Sequence, residues 1–111
     1  MVEIINKIDK NVGCGIYLIK FSNGMFYIGC SRYVKERVSN HCTAIKSNFQ
    51  KGTCPSLKTM QGFKGTVRFF LIKELVYTDR SDLMKVEAYY INKYRSNNRL
   101  INQPYTNKKK L

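Results

Sequence analysis

Apolar residues fall at strand spacing in three stretches of the chain and at helical spacing in two. Ile16-Tyr17-Leu18-Ile19-Lys20-Phe21 is rich in β-branched and aromatic residues and predicts a strand. Ser22-Asn23-Gly24 follows, and Asn-Gly is a strong hairpin signal, so Met25-Phe26-Tyr27-Ile28-Gly29-Cys30 reads as the return strand. Both strands carry apolar residues on both faces, so the sheet is expected to be at least partly covered on each side. Thr66 to Glu74 supplies a third strand.

Ser31 is a candidate N-cap for a first helix from about Tyr33 to Asn48, with the stripe Val34, Val38, Ile45 and Phe49, ended by Lys51-Gly52. Ser56 to Gln61 reads as a short helix. Asp79, Ser81 and Asp82 open a last helix from about Leu83 to Arg95, whose inward stripe is Leu83, Val86, Tyr90, Ile91 and Tyr94. Ser96-Asn97-Asn98 breaks it, and Pro104 keeps the tail irregular. Two main helices on a small, mostly antiparallel sheet make an α/β sandwich of the α+β kind. The 111 residues show no internal repeat and suit one domain, with a basic tail over 105–111.

Charge narrows the function. Twenty Lys plus Arg against seven Asp plus Glu give +13, a field that draws in polyanions. Nucleic acid is the obvious partner; solubility and an anionic membrane surface are the blander readings. Lys108-Lys109-Lys110 reads as a disordered tail with generic phosphate affinity. Cys14, Cys30, Cys42 and Cys54 form no CxxC pair and the chain has one His, which argues against a zinc site. Their number leaves disulfides open. The N-terminus lacks a signal-peptide pattern, so the expectation is reduced, mostly buried thiols in a cytoplasmic, non-secreted protein. No stretch approaches a membrane span. The abundance of Lys, Asn, Ile and Tyr hints at an A/T-rich genome such as a phage, virus or mobile element.

Several residues sit oddly for a plain core. Glu87 lies four after Leu83 and four before Ile91, on an otherwise apolar stripe. A carboxylate there needs a partner, either a buried Arg or a metal ion. Arg37 and His41 share a helix face at i, i+4. The lone His suits a hydrogen-bonded structural role, while Arg beside it suits phosphate binding. Tyr17 and Tyr27 are equally compatible with packing. With a two-residue turn they face opposite ways. With a three-residue loop Ser22-Asn23-Gly24, and Gly24 in the left-handed conformation, Tyr27 pairs with Ile19 and both tyrosines share a face. The three-residue loop is the expectation.

Gly15-Ile16-Tyr17, then nine residues, then Tyr27-Ile28-Gly29 resembles the two-part signature of the GIY-YIG nucleases. Arg37 follows ten residues after Tyr27, as the family arginine does, and His41 follows where members carry Tyr or His. Glu87 before Tyr89-Tyr90-Ile91 resembles the family glutamate, and Asn102 the terminal asparagine. The resemblance spans about residues 13 to 104 and points to a stand-alone catalytic domain like those of phage and homing endonucleases. Two positions depart from it. Some members have Lys directly after the YIG glycine, where this chain has Cys30, with Arg32 nearby. Homing-type members carry a His after a Lys-Gly pair, and Lys51-Gly52-Thr53-Cys54-Pro55 offers none.

The resemblance implies a three-stranded antiparallel sheet flanked by helices, and metal-dependent hydrolysis of DNA phosphodiesters with one Mg²⁺ or Mn²⁺ on the glutamate. Glu87 would then hold the metal and Arg37 would clamp a non-bridging oxygen. Tyr17 would take the proton of the attacking water and Tyr27 would position water or phosphate. His41 would accept a proton from Tyr17 or merely orient it, and Asn102 would support the site or the structure. Arg32, Lys35 and Lys46 are the expected further DNA contacts. With little chain left for recognition, specificity is expected to be weak, or to come from dimerisation or a separate partner. The alternative is a non-catalytic basic nucleic-acid-binding module; a small basic protein-interaction or anti-defence module is the third reading.

Overall fold

The hairpin turn at Asn23-Gly24 sets the register from which the candidate site follows. The computed structural model describes residues 2–50, 56–76 and 80–102. In chain order these form β1 (Val2–Asn6), β2 (Cys14–Phe21), β3 (Phe26–Ser31), α1 (Val34–Lys46), a one-turn 3₁₀ helix (Leu57–Met60), β4 (Gly65–Leu75) and α2 (Arg80–Lys93). At the turn, the Phe21 N–H donates to Met25 O and the Gly24 N–H to Phe21 O, each at 2.9 Å. Gly24 has φ +96°, the left-handed region that a side chain disfavours. The loop is therefore the expected three residues, Ile19 lies opposite Tyr27, and Tyr17 and Tyr27 share a face.

The sheet runs β1-β4-β2-β3, with β2 antiparallel to both neighbours and β1 parallel to β4. The three-stranded expectation is thus corrected to four. Val2 pairs opposite Gly65, across most of the chain, so no local turn signals β1.

Each face of the sheet carries its own cluster, as the two-sided apolar pattern implies. Tyr17, Ile19, Phe21, Val67 and Phe69 pack with Val34, Val38 and Ile45 of α1. On the other face, Ile16 and Ile28 pack with Ile91 of α2 and with Leu100.

Helix boundaries differ from expectation in instructive ways. Ser31 is not the N-cap of α1; Tyr33 is, and it makes no side-chain cap bond. Ser31 Oγ instead accepts from the Tyr33 N–H at 2.9 Å, while the first helical N–H, of Val34, donates to Gly13 O at 2.8 Å. The residue just before β2 thus supplies the missing cap. The helix stops at Lys46, with Asn48 and Phe49 at φ +59° and +62°. A left-handed Phe is strained, and here its ring is 1% exposed, so burial offsets the strain. The predicted Lys51-Gly52 stop and the residues from 103 on, including Pro104 and Lys108 to Lys110, lie outside the described residues, as does Asp79. Of the second stripe, Leu83 and Ile91 are buried, Val86 and Tyr90 half-buried, and Tyr94 is 39% exposed, just beyond the end of α2.

Candidate active site

The pairing of β2 with β3 puts Tyr17 directly opposite Gly29. A Cβ added at Gly29 would lie 2.5 Å from Tyr17 Cζ and closer still to its hydroxyl. On the other side of β2, a Cβ at Gly15 would lie 2.6 Å from Lys73 O. Both glycines are therefore fixed by close approach. The register against β4 shifts between Ile16, opposite Lys73, and Tyr17, opposite Leu71, leaving Ile72 as an extra residue. Such a bulge re-aims the side chains beside it.

The Tyr17 hydroxyl meets His41 Nε2 at 2.7 Å, and the Tyr27 ring stands edge-on to the same imidazole at 6.0 Å between centroids. Tyr17 is 1% and His41 5% exposed, while Tyr27 is half-buried. Burial, helped by the charge of Arg37, pulls the His41 pKa down to about 4. His41 is thus neutral at pH 7, with one nitrogen a donor and the other an acceptor. Its Nδ1 is buried with no hydrogen-bond partner among the described residues.

Glu87 comes from the opposite face. It is half-buried on α2 and borders an open cleft of about 290 Å³ with Cys30, Arg32, Tyr33, Arg37 and Arg80. Desolvation raises its pKa, opposed by the Cys30 thiol and backbone N–H, which hydrogen-bond to the carboxylate, and by Arg37. The Cys30 thiol is pushed up to about 12, first by burial and then by the Glu87 charge, so it stays protonated and donates. β3 is an edge strand and Cys30 lies near its end, so Arg37 from α1 and Glu87 from α2 converge around that end from opposite faces.

The expected residues therefore fall into two groups. Arg37 and Glu87 share the cleft, with Arg32 beside them. Tyr17, Tyr27 and His41 form a second cluster on the α1 face and do not line that cleft. Arg37 links the groups electrostatically, because its charge acts on both His41 and Glu87. Lys35 lines a separate depression with Lys10, Val12 and Ser39, and Lys46 is exposed in the last turn of α1. Asn102 is buried and clipped to β3: its Oδ1 accepts from the Ile28 N–H and its Nδ2 donates to Ile28 O, each at 2.9 Å.

Sequence reading missed Arg80 and the Cys30–Glu87 contact. The signal for Arg80 was its place two helical turns before Glu87, hence on the same face of the helix.

The donor set can be tested against a divalent ion. Among the described residues no group of three or more His, Cys, Asp or Glu gathers to hold a metal. One hard carboxylate at the wall of an open cleft fits an ion that keeps most of its waters, such as Mg²⁺, and not a caged one.

A family model described as the GIY-YIG catalytic domain matches residues 13–102. No curated protein and no solved structure matches the chain. No helix among the described residues is long and apolar enough to cross a membrane.

Proposed function

This chain belongs to the GIY-YIG catalytic-domain family, and we propose that it is a metal-dependent endonuclease that hydrolyses DNA phosphodiesters at the Arg37–Glu87 cleft. The observation that carries the reading is the meeting of a half-buried carboxylate and a guanidinium, from helices on opposite faces, in one open cationic cleft.

Glu87 would hold Mg²⁺ or Mn²⁺, which when bound supplies charge neutralisation at phosphate and at the leaving oxygen. Cys30 fixes the carboxylate through its thiol and N–H. Arg37 would bind a non-bridging phosphate oxygen through its guanidinium. On the α1 face, the neutral His41 holds the Tyr17 hydroxyl through the 2.7 Å contact and so orients it, while the less buried Tyr27 is the phenol that would position water or phosphate. A buried imidazole that resists protonation suits this orienting role. The half-buried Arg32 at the cleft and the exposed Lys35 and Lys46 on α1 would supply further contacts to the DNA backbone. One such site cuts one strand; a double-strand break takes a second copy or a second visit.

Supercoiled plasmid with Mg²⁺ or Mn²⁺ tests the reading. Nicking is expected, is expected to stop with a chelator, and is expected to be lost in Glu87→Gln. Full nicking by a folded Glu87→Gln protein would falsify it. The second reading, a nucleic-acid binder without catalysis, is favoured by the absence of Tyr17, Tyr27 and His41 from the cleft lining. It predicts salt-sensitive binding with no nicking under any divalent ion.

A further inference from the structure

A second depression lies on the α2 face, beyond the end of that helix. It has a volume of about 350 Å³ and is lined by Leu18, Phe26, Ile28, Ile72 and Tyr94, with Lys20, Asn97 and Arg99 around it. Its floor is sheet that α2 does not cover, and Leu18, Phe26 and Ile72 are only half-buried there. Tyr94 is held edge-on against Phe26 at 5.8 Å and remains 39% exposed. The apolar surface is concave, aromatic on one wall, and large enough for a small ring system.

The rim is cationic by construction. Lys20 and Arg99 line the depression, and Arg68, just outside it, is the direct partner of Lys20 across β2 and β4; Lys20 and Arg68 are both exposed. Like charges opposite one another in a sheet repel. Arg99 donates one N–H to Asn23 O at 3.0 Å, which pins the guanidinium over the hairpin turn and leaves most of its donors available. A phosphate set between these groups relieves the Lys20–Arg68 repulsion and uses the spare donors.

We propose that this depression is an accessory nucleotide site, in which one base of a single-stranded DNA segment packs on Leu18, Ile72 and Tyr94 while its phosphate lies on Lys20, Arg68 and Arg99. The inference rests on the DNA-cutting reading for its biological use, and not for its chemistry. Glu87 and Tyr94 are seven residues apart, about 10 Å of helix, which is roughly three stacked nucleotides. A strand running along α2 can therefore reach both places. The site selects for unpaired bases near the cut, since a base inside a duplex cannot enter it.

The test uses the full chain with a chelator present, so that binding is read without cutting. Fluorescence anisotropy compares a labelled oligothymidylate with an abasic oligomer of the same length and charge. Wild type is expected to hold the thymidylate roughly tenfold tighter, the scale of one base–aromatic contact. Tyr94→Ala, and separately the pocket-filling Leu18→Phe, are expected to erase that preference while leaving abasic binding unchanged. Arg68→Gln is expected to weaken both oligomers alike, lower the salt slope by about one, and leave the thermal midpoint unchanged or raised. Equal affinity of wild type for the two oligomers overturns the proposal, as does a preference that survives both pocket variants when circular dichroism shows them folded. Plasmid nicking in parallel separates the two claims. Nicking without base preference removes the pocket alone, and base preference without nicking removes the hydrolase alone.

Discussion

The phenol of Tyr17 fills the space above the Gly29 α-carbon, so the two halves of the signature interlock across one strand pair. Gly29→Ala would drive a methyl group into that ring. Overpacking of this kind costs about 1–3 kcal/mol. The urea midpoint should fall accordingly, and Tyr17→Phe should not restore it, because the ring carbon Cζ clashes as well as the hydroxyl.

Arg37 should tolerate no cationic substitute. A lysine keeps the charge and loses the planar fork that binds two phosphate oxygens. Arg37→Lys is expected to lower kcat by on the order of 10²-fold, the usual effect of losing one donor aimed at developing charge. Plasmid nicking rates and a thermal melt together check this: a large rate loss with an unchanged melt is the expected pair.

His41 gives stability a pH dependence of defined sign. Its folded pKa of about 4 lies below the ordinary imidazole value of 6.5, so the native state resists protonation and the unfolded chain accepts it. Its contribution is complete above pH 6.5, shrinks as pH falls toward 4, and then levels off. The total is on the order of 3 kcal/mol. Glu87, with its raised pKa, works in the opposite direction. The difference between wild type and His41→Gln therefore isolates the term. If urea midpoints of the two proteins stay parallel from pH 7 to pH 4, the buried neutral imidazole is wrong.

Asn102→Ala removes both hydrogen bonds to Ile28 and leaves a buried N–H and carbonyl unpaired. Such groups cost about 1–3 kcal/mol when orphaned. Stability should drop by that order, while the KM for DNA stays near wild type. A raised KM with an unchanged melting temperature would place Asn102 in substrate contact instead.

Much of this was legible in the sequence where the signal is local. The Asn-Gly turn gave the hairpin but not its register: both strands are apolar on both faces, so the pattern allowed a one-residue slip, and the three-residue loop followed only from requiring Tyr17 and Tyr27 to share a face. Glu87 stood out because a carboxylate on an apolar stripe needs a reason. What was missed is non-local. β1 pairs with β4, a strand distant in sequence, and the partnership of Glu87 with Cys30 depends on how α2 lies against β3. The N-cap shifted from Ser31 to Tyr33 for a similar reason: a carbonyl from Gly13 takes over the capping work. Helical spacing offered Arg80, but only packing shows which of its neighbours border the cleft.

The carboxylate and the guanidinium reach their meeting place from opposite sides of the sheet. Cutting is then a sensitive reporter of the intact tertiary structure. A fragment, or a collapsed state that keeps its helices but loosens their seating, would retain affinity for polyanions through its charge and yet be silent in a nicking assay. Binding and cutting should part company early in unfolding, which makes their ratio a practical measure of how much of a preparation is native.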